Sequence, residues 1–175
     1  MKFQKTPIEG VYVVDLNRLE DERGFFARAF CQAEFEEHGL NSNIVQANTS
    51  FNRYAGTLRG MHYQVAPALE TKFVRCIRGA IHDVIVDLRP DSPTYREHFG
   101  IDLTADNRTA LFVPANFAHG FQTLEDDSEV FYLVSGAYTP ECERGLRHDD
   151  PMLSIQWPRA VSSQSEKDAN WPLLT

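Results

Sequence analysis

Arg59 and His62 flank a glycine and a methionine in the stretch GTLRGMHYQ, residues 56–64. The stretch reads as a strand, and a permanent cation beside a near-neutral base is foreign to an ordinary sheet. Lys72 opens the next strand-like segment. A histidine among fixed cations tends to stay neutral and basic. Such a base suits proton abstraction from a substrate whose anionic part the cations hold. It needs a carboxylate to fix its tautomer. Asp168 in SEKDAN and Asp83 in IHDVIVDL are the candidates, and spacing does not choose between them. The plainer alternative is a half-buried histidine satisfied by a hydrogen bond.

Other residues invite two readings each. His62, Gln64, Glu70 and His119 have the order of a small-barrel metal site, but Gln64 stands where a second histidine belongs. Amides are poor ligands for transition metals, so no functional metal is expected. His119, in FVPANFAHGFQTL, either caps a tight connection between strands or lines a pocket mouth. Tyr132 and Tyr138, in EVFYLVSGAY, read as packing residues, with Tyr132 also able to donate a proton. Arg23, central in DERGFF, is a turn charge or a group reaching across a dimer interface.

The elements that must position these groups are mostly strands. GVYVVDL, GFFARAF, NIVQANTSF, TLRGMHYQ, TKFVRCIRG, AIHDVIVDL, HFGIDLT, ALFVPA, GFQTL, EVFYLVS and LSIQW favour β structure by content or alternation. DERG, NRYAG, RPDSPT, ADNR, LEDDSE and YTPE separate them as turns. CQAEFEEHG, residues 31–39, is the one helix predicted, ending on a glycine. About ten strands and one short helix imply an all-β sandwich or barrel. The 175 residues suit a single domain, 1–175. After Pro158 a polar tail ends in NWPLLT, and its Trp171, Leu173 and Leu174 predict packing back on the body, bringing Lys167 and Asp168 with them.

Bulk properties narrow the partners. A net charge of −8 argues against nucleic-acid binding while leaving room for a local arginine site for a small phosphorylated ligand. No stretch approaches the roughly 20 apolar residues of a membrane span, and MKFQKTPIEG has no secretion-signal core. Cys31, Cys76 and Cys142 are far apart and odd in number, which reads as free thiols in a reducing cytoplasm.

Taken together, the chain resembles the dTDP-4-dehydrorhamnose 3,5-epimerase family. The matching pieces are DERGFF (21–26), VQAN (45–48), LRGMHYQ (58–64), KFVRC (72–76), DVIVDLR (83–89), SPTY (92–95), PANFAHGF (114–121), FY (131–132), DDP (149–151), WP (157–158) and SEKD (165–168), all in register. The resemblance implies a cupin-type jelly roll, a homodimer and no metal or organic cofactor. It implies a nucleoside-diphosphate 4-keto-6-deoxy sugar as substrate, most simply the dTDP-linked one. By resemblance His62 is the base, Asp168 its partner, Tyr132 the acid on the opposite face and Lys72 the stabiliser of the enolate. Arg59 would hold the diphosphate, Arg23 would come from the partner subunit, and Gln46, Asn48, His119 and Tyr138 would line the nucleotide and phosphate region.

Three positions depart from the family pattern. Arg28 stands where a glutamate is usual, Glu70 where a glutamine is common, and His148 where a tryptophan-type residue is usual. Thymine offers an N3–H donor, which an arginine does not complement, whereas cytosine offers acceptors. Arg28 therefore raises a CDP- or GDP-linked substrate as an alternative. Epimerisation at C3 alone or C5 alone is a second alternative, a metal-dependent cupin a third, and a non-catalytic nucleotide-sugar binder a fourth.

Overall fold

The computed structural model describes residues 1–174. Two antiparallel sheets face each other as a jelly-roll sandwich, as expected from the strand content. The first sheet has the order β1-β2-β10-β7-β12-β5, where these are Lys2–Lys5, Tyr12–Asp15, Ala110–Val113, Lys72–Arg78, Ser128–Val134 and Gln46–Asn52. The second has the order β13-β6-β11-β8-β9, formed by Glu143–Gly145, Leu58–Gln64, Phe117–Thr123, Ala80–Asp87 and His98–Thr104. A separate hairpin pairs β3 (Leu19–Asp21) with β4 (Gly24–Phe26).

The filling between the sheets is uneven, and this creates the site. Val74, Leu111, Val113 and Val130 of the first sheet meet Ile81, Ile85, Leu103, Phe117 and Phe121 of the second in a closed apolar core. Toward β5 and β6 that core gives way to a cavity. Strand β5 shows why. Its half-buried face carries Gln46, Asn48 and Ser50, alternating with exposed Ala47, Thr49 and Phe51. A strand that turns polar residues inward leaves a wet groove instead of a core.

Both outer faces are partly covered. Helix α1 (Gln32–Glu37) lays Phe35 against Phe3, Phe30, Phe73 and Phe112. It is shorter than 31–39 and is followed by Gly39 in a left-handed conformation, φ +70°. Leu146, Leu153, Ile155, Trp157 and Leu174 cover Met61, Val84, Val86 and Ala118 on the second sheet.

Two strand expectations need correction. GFFARAF contributes only β4, because that segment pairs with β3 in a hairpin joined to neither sheet. LSIQW forms no ladder: Leu153, Ile155 and Trp157 alternate as in a strand, yet they pack side chains onto the second sheet's outer face without pairing to an edge. The tail does return to the body, through helix α2 (Glu166–Ala169) and the parallel bridge Thr57–Ser163.

Candidate active site

A regular strand would send Arg59 and His62, three residues apart, to opposite faces. Here both line the same cavity. The alternation breaks at Gly60, whose φ of +113° suits glycine, and at a register shift in β11 between His119 and Phe121. The backbones of β6 and β11 touch at this point: a Cβ on Gly60 would lie 2.6 Å from Gly120 Cα.

His62 Nε2 donates to Asp168 Oδ1 at 2.6 Å, since an ionised carboxylate accepts only. That leaves Nδ1 as the basic nitrogen. Asp168 is held from two more sides. Its Oδ2 accepts from the Gly60 amide at 3.2 Å, and its own amide donates to Ser165 Oγ at 3.0 Å, capping α2. Burial works to raise the Asp168 pKa, but the His62 hydrogen bond and charge, with the Gly60 amide, more than offset it and keep the acid below the usual carboxylate range. Trp171 seats this segment: its indole lies over Gly145, where any Cβ would collide at 2.2 Å, and stands edge-on to the His62 ring.

The opposite wall belongs to the first sheet. Tyr132 pairs in register with Val74, and Lys72 with Val134, so Tyr132 and Lys72 are diagonal neighbours on one inward face. Burial, reinforced by the nearby Glu70 charge and opposed by Arg59, pushes the Tyr132 phenol above its usual range. A phenol so held is a proton donor. The Lys72 ammonium forms an ion pair with Glu70. Arg59 is anchored through Nε to Asn52 Oδ1 at 2.6 Å.

The cavity, about 900 Å3, also takes in Gln46, Asn48, His119, Tyr138, Glu143, Lys167 and Asp168. That volume suits a ligand of drug or nucleotide-sugar size. Gln46 donates to Asn48 Oδ1 at 3.0 Å, and the Tyr138 amide donates to Gln46 Oε1 at 3.3 Å. Asp83 partners His119, at 2.8 Å, and not His62. At the rim Glu143 accepts from Tyr138 at 2.9 Å and from Lys167 at 2.8 Å.

Two expected residues are elsewhere. Arg23 sits in the exposed β3–β4 hairpin, paired with Asp21. Arg28 pairs with Glu34 at 2.8 Å beside α1. Neither lines the cavity of its own chain. Gln64 holds the loop after β12: it donates to the carbonyls of Ala68 and Ala137 and accepts from the Thr139 amide at 2.7 Å. Among the described residues no three His, Cys, Asp or Glu side chains are grouped to hold a metal ion. The three cysteines are unpaired, and burial pushes the Cys76 thiol up to about 11, out of the range of a nucleophile. Glu143 was not singled out by the sequence, because nothing in PECERG marks one glutamate over the other.

A histidine–carboxylate pair on one wall of a cavity and a protonated phenol on the other is the equipment for acid–base chemistry on two faces of a ligand, carried here on a jelly roll. Comparison with known proteins gives the class a family. The family model for dTDP-4-dehydrorhamnose 3,5-epimerase matches residues 5–175. The chain belongs to that family, isomerases that act on sugar nucleotides. It is 41% identical to the dTDP-4-dehydrorhamnose 3,5-epimerase of Sinorhizobium fredii, over 99% of this chain and 90% of that one. The crystal structure of the enzyme from Bacillus anthracis with TDP and PPi bound superposes with a TM-score of 0.95 at 39% identity, covering 99% of both chains. A dTDP-4-dehydrorhamnose 3-epimerase from Streptomyces niveus is 36% identical over 99% of this chain and 84% of its own length.

Proposed function

We propose that this chain epimerises C3 and C5 of a dTDP-linked 4-keto-6-deoxy sugar. The observation that carries the reading is the placement of His62–Asp168 and Tyr132 on opposite walls of one cavity. The 4-keto group acidifies the neighbouring C–H bonds. His62 Nδ1 takes the proton from one face, and the bonding electrons move to O4 as an enolate. Lys72 stabilises that oxygen. Tyr132 then delivers a proton to the opposite face of the same carbon, which inverts it, and Asp168 stabilises the imidazolium meanwhile. Arg59 holds the diphosphate. Gln46, Asn48, His119 and Tyr138 line the rest of the nucleotide sugar.

The assembly we propose is a homodimer. Phe51, Ile77 and Phe131 leave an exposed apolar face on the first sheet, and the detached hairpin exposes Leu19 and Phe26 beside Arg23. The hairpin would carry Arg23 across to the partner's diphosphate. Arg28 lies on Glu34 and outside the cavity, so within one chain it does not read the base. Thymidine is therefore the base proposed, in keeping with the names of the relatives.

Proton NMR in D2O tests this. With dTDP-4-keto-6-deoxyglucose, deuterium should enter at both C3 and C5. Exchange at one carbon alone would make the chain a mono-epimerase, like the relative named as a 3-epimerase. Exchange confined to the CDP-linked sugar would overturn the choice of base.

A further inference from the structure

Three cations line the cavity: Arg59, Lys72 and Lys167. Two of them are matched by carboxylates, Lys72 by Glu70 and Lys167 by Glu143. Of the three, and among the described residues, Arg59 alone has no carboxylate paired with it; its partners are the amide oxygen of Asn52 and a backbone carbonyl. A diphosphate entering this cavity therefore meets one open cation.

Glu70 is built into that arrangement. Its side chain and that of Lys72 are only 12% and 11% exposed. The backbone around it is tied to the end of β12, with the Thr71 amide on Ser135 Oγ at 2.8 Å and the Ser135 amide on the Thr71 carbonyl at 3.2 Å. Gly136 approaches so closely that a Cβ there would lie 2.8 Å from the Leu69 carbonyl and 3.1 Å from Glu70 Cβ. The carboxylate is thus fixed where the reacting groups converge.

We propose that Glu70 is a positioning and specificity residue: it pins the Lys72 ammonium toward the sugar and cancels the charge that would draw a phosphate to that end, so the nucleotide sugar enters one way round. The proposal rests on the reading of Lys72 as the group that meets O4. A pinned ammonium needs no reorganisation when the enolate forms, and two of its three N–H donors stay available to the substrate. An unmatched ammonium in the same place would be a second phosphate site, competing with Arg59. The charged and titratable groups that line the cavity with the pair are Arg59, His62 and Tyr63 from β6, His119 from β11, Tyr132 from β12, Tyr138 with the Glu143–Lys167 pair at the rim, and buried Asp168. The Glu70 charge is also the second influence, after burial, that keeps the Tyr132 phenol protonated.

The test compares Glu70→Gln with Glu70→Asp, using inorganic pyrophosphate as the probe. In Glu70→Gln, pyrophosphate should inhibit about tenfold more tightly. dTDP should bind within about twofold of the parent, because the nucleotide end is untouched. The alkaline limb of the kcat/KM profile should move to lower pH as the phenol loses that support. Glu70→Asp keeps the charge but shortens the reach, so pyrophosphate inhibition should stay at the parent level while kcat falls. Unchanged pyrophosphate inhibition and an unchanged alkaline limb in Glu70→Gln would overturn the proposal. If that variant fails to bind dTDP and so is not folded, an unchanged kcat in Glu70→Asp would overturn it instead. Lys72→Met separates the two levels: full activity there would remove the role given to Lys72, whereas an inactive Lys72→Met beside an unaltered Glu70→Gln would remove the role of Glu70 alone.

Discussion

On one wall of the cavity His62 sits on β6 and receives its carboxylate from a residue 106 positions further along the chain. The segment bringing Asp168 pairs with the second sheet at a single bridge, Thr57–Ser163. On the other wall Tyr132 and Lys72 occupy neighbouring strands with a continuous ladder from Val130 to Val134. Tyr132 and Lys72 are therefore placed by sheet register, which a side-chain change leaves intact. His62 and Asp168 are aligned by point contacts: the Ser165 side-chain cap, the Gly60 backbone amide and the Trp171 ring on Gly145. Two walls of one site can thus differ in how far away a substitution is felt.

The largest effect should come from the base. His62→Ala should lower C3 and C5 exchange by about 10³-fold or more while dTDP still binds in a titration. Full exchange in that variant would end the two-wall scheme. Tyr132→Phe should separate the walls: net epimerisation falls roughly 10²-fold or more, while deuterium exchange, which needs only the base, falls less. Equal losses would mean that both groups serve one step. Trp171→Ala tests the difference in construction. The Trp171 ring lies outside the cavity lining, edge-on to His62 and under the Lys167 ammonium, yet its loss should slow proton abstraction about tenfold by loosening Asp168. Phenylalanine at 171 should restore part of that rate. A parent-like rate in Trp171→Ala would show that the Ser165 cap and the Gly60 amide align the dyad unaided.

The smallest effect is on stability against acid. Asp168 and Asp87 both titrate below the ordinary aspartate value of 3.8 in the folded chain. For Asp87, burial alone would raise the value; bonds from Arg89, Ser92, the Arg89 amide and Thr94 bring it down to about 2. Groups with depressed values add stability that is complete above 3.8 and is lost as pH falls toward their folded values. Urea midpoints should hold above about pH 4 and decline below it. Asp87→Asn should flatten the part of that decline that reaches down to about 2. An unaltered slope would mean that the cluster around Asp87 survives protonation.

The ladder-built wall was the more legible in sequence. EVFYLVS and TKFVRC are rich in β-branched and aromatic residues, so Tyr132 and Lys72 could be put on strands from content. That they share a face follows only from register, which no single strand reveals. His62 stood out by its chemistry, whereas its partner did not: by spacing Asp83 and Asp168 were equal candidates, only the family resemblance favoured Asp168, and the fold gives each its own histidine. The helix carrying Asp168 did have a local signature, since SEKD is a serine cap with an acid three residues on. The apolar alternation of residues 153–157 misled because covering a sheet and pairing with one demand the same pattern. Arg23 and Arg28 lie outside the cavity, paired with Asp21 and Glu34 on exposed segments, and nothing in DERGFFAR shows which way its turn folds.

The contact of Gly60 with Gly120 has a consequence for how this protein can change. A methyl group on Gly60 would meet Gly120 Cα at 2.6 Å, and one on Gly120 would meet the Arg59 carbonyl and Met61 Sδ at 2.7 Å. Neither position can drift first to make room for the other. The pair is a mutational dead end, closed to stepwise substitution from either side. A library built to retune this enzyme should vary Glu70, His148 and Arg28 and leave both glycines alone.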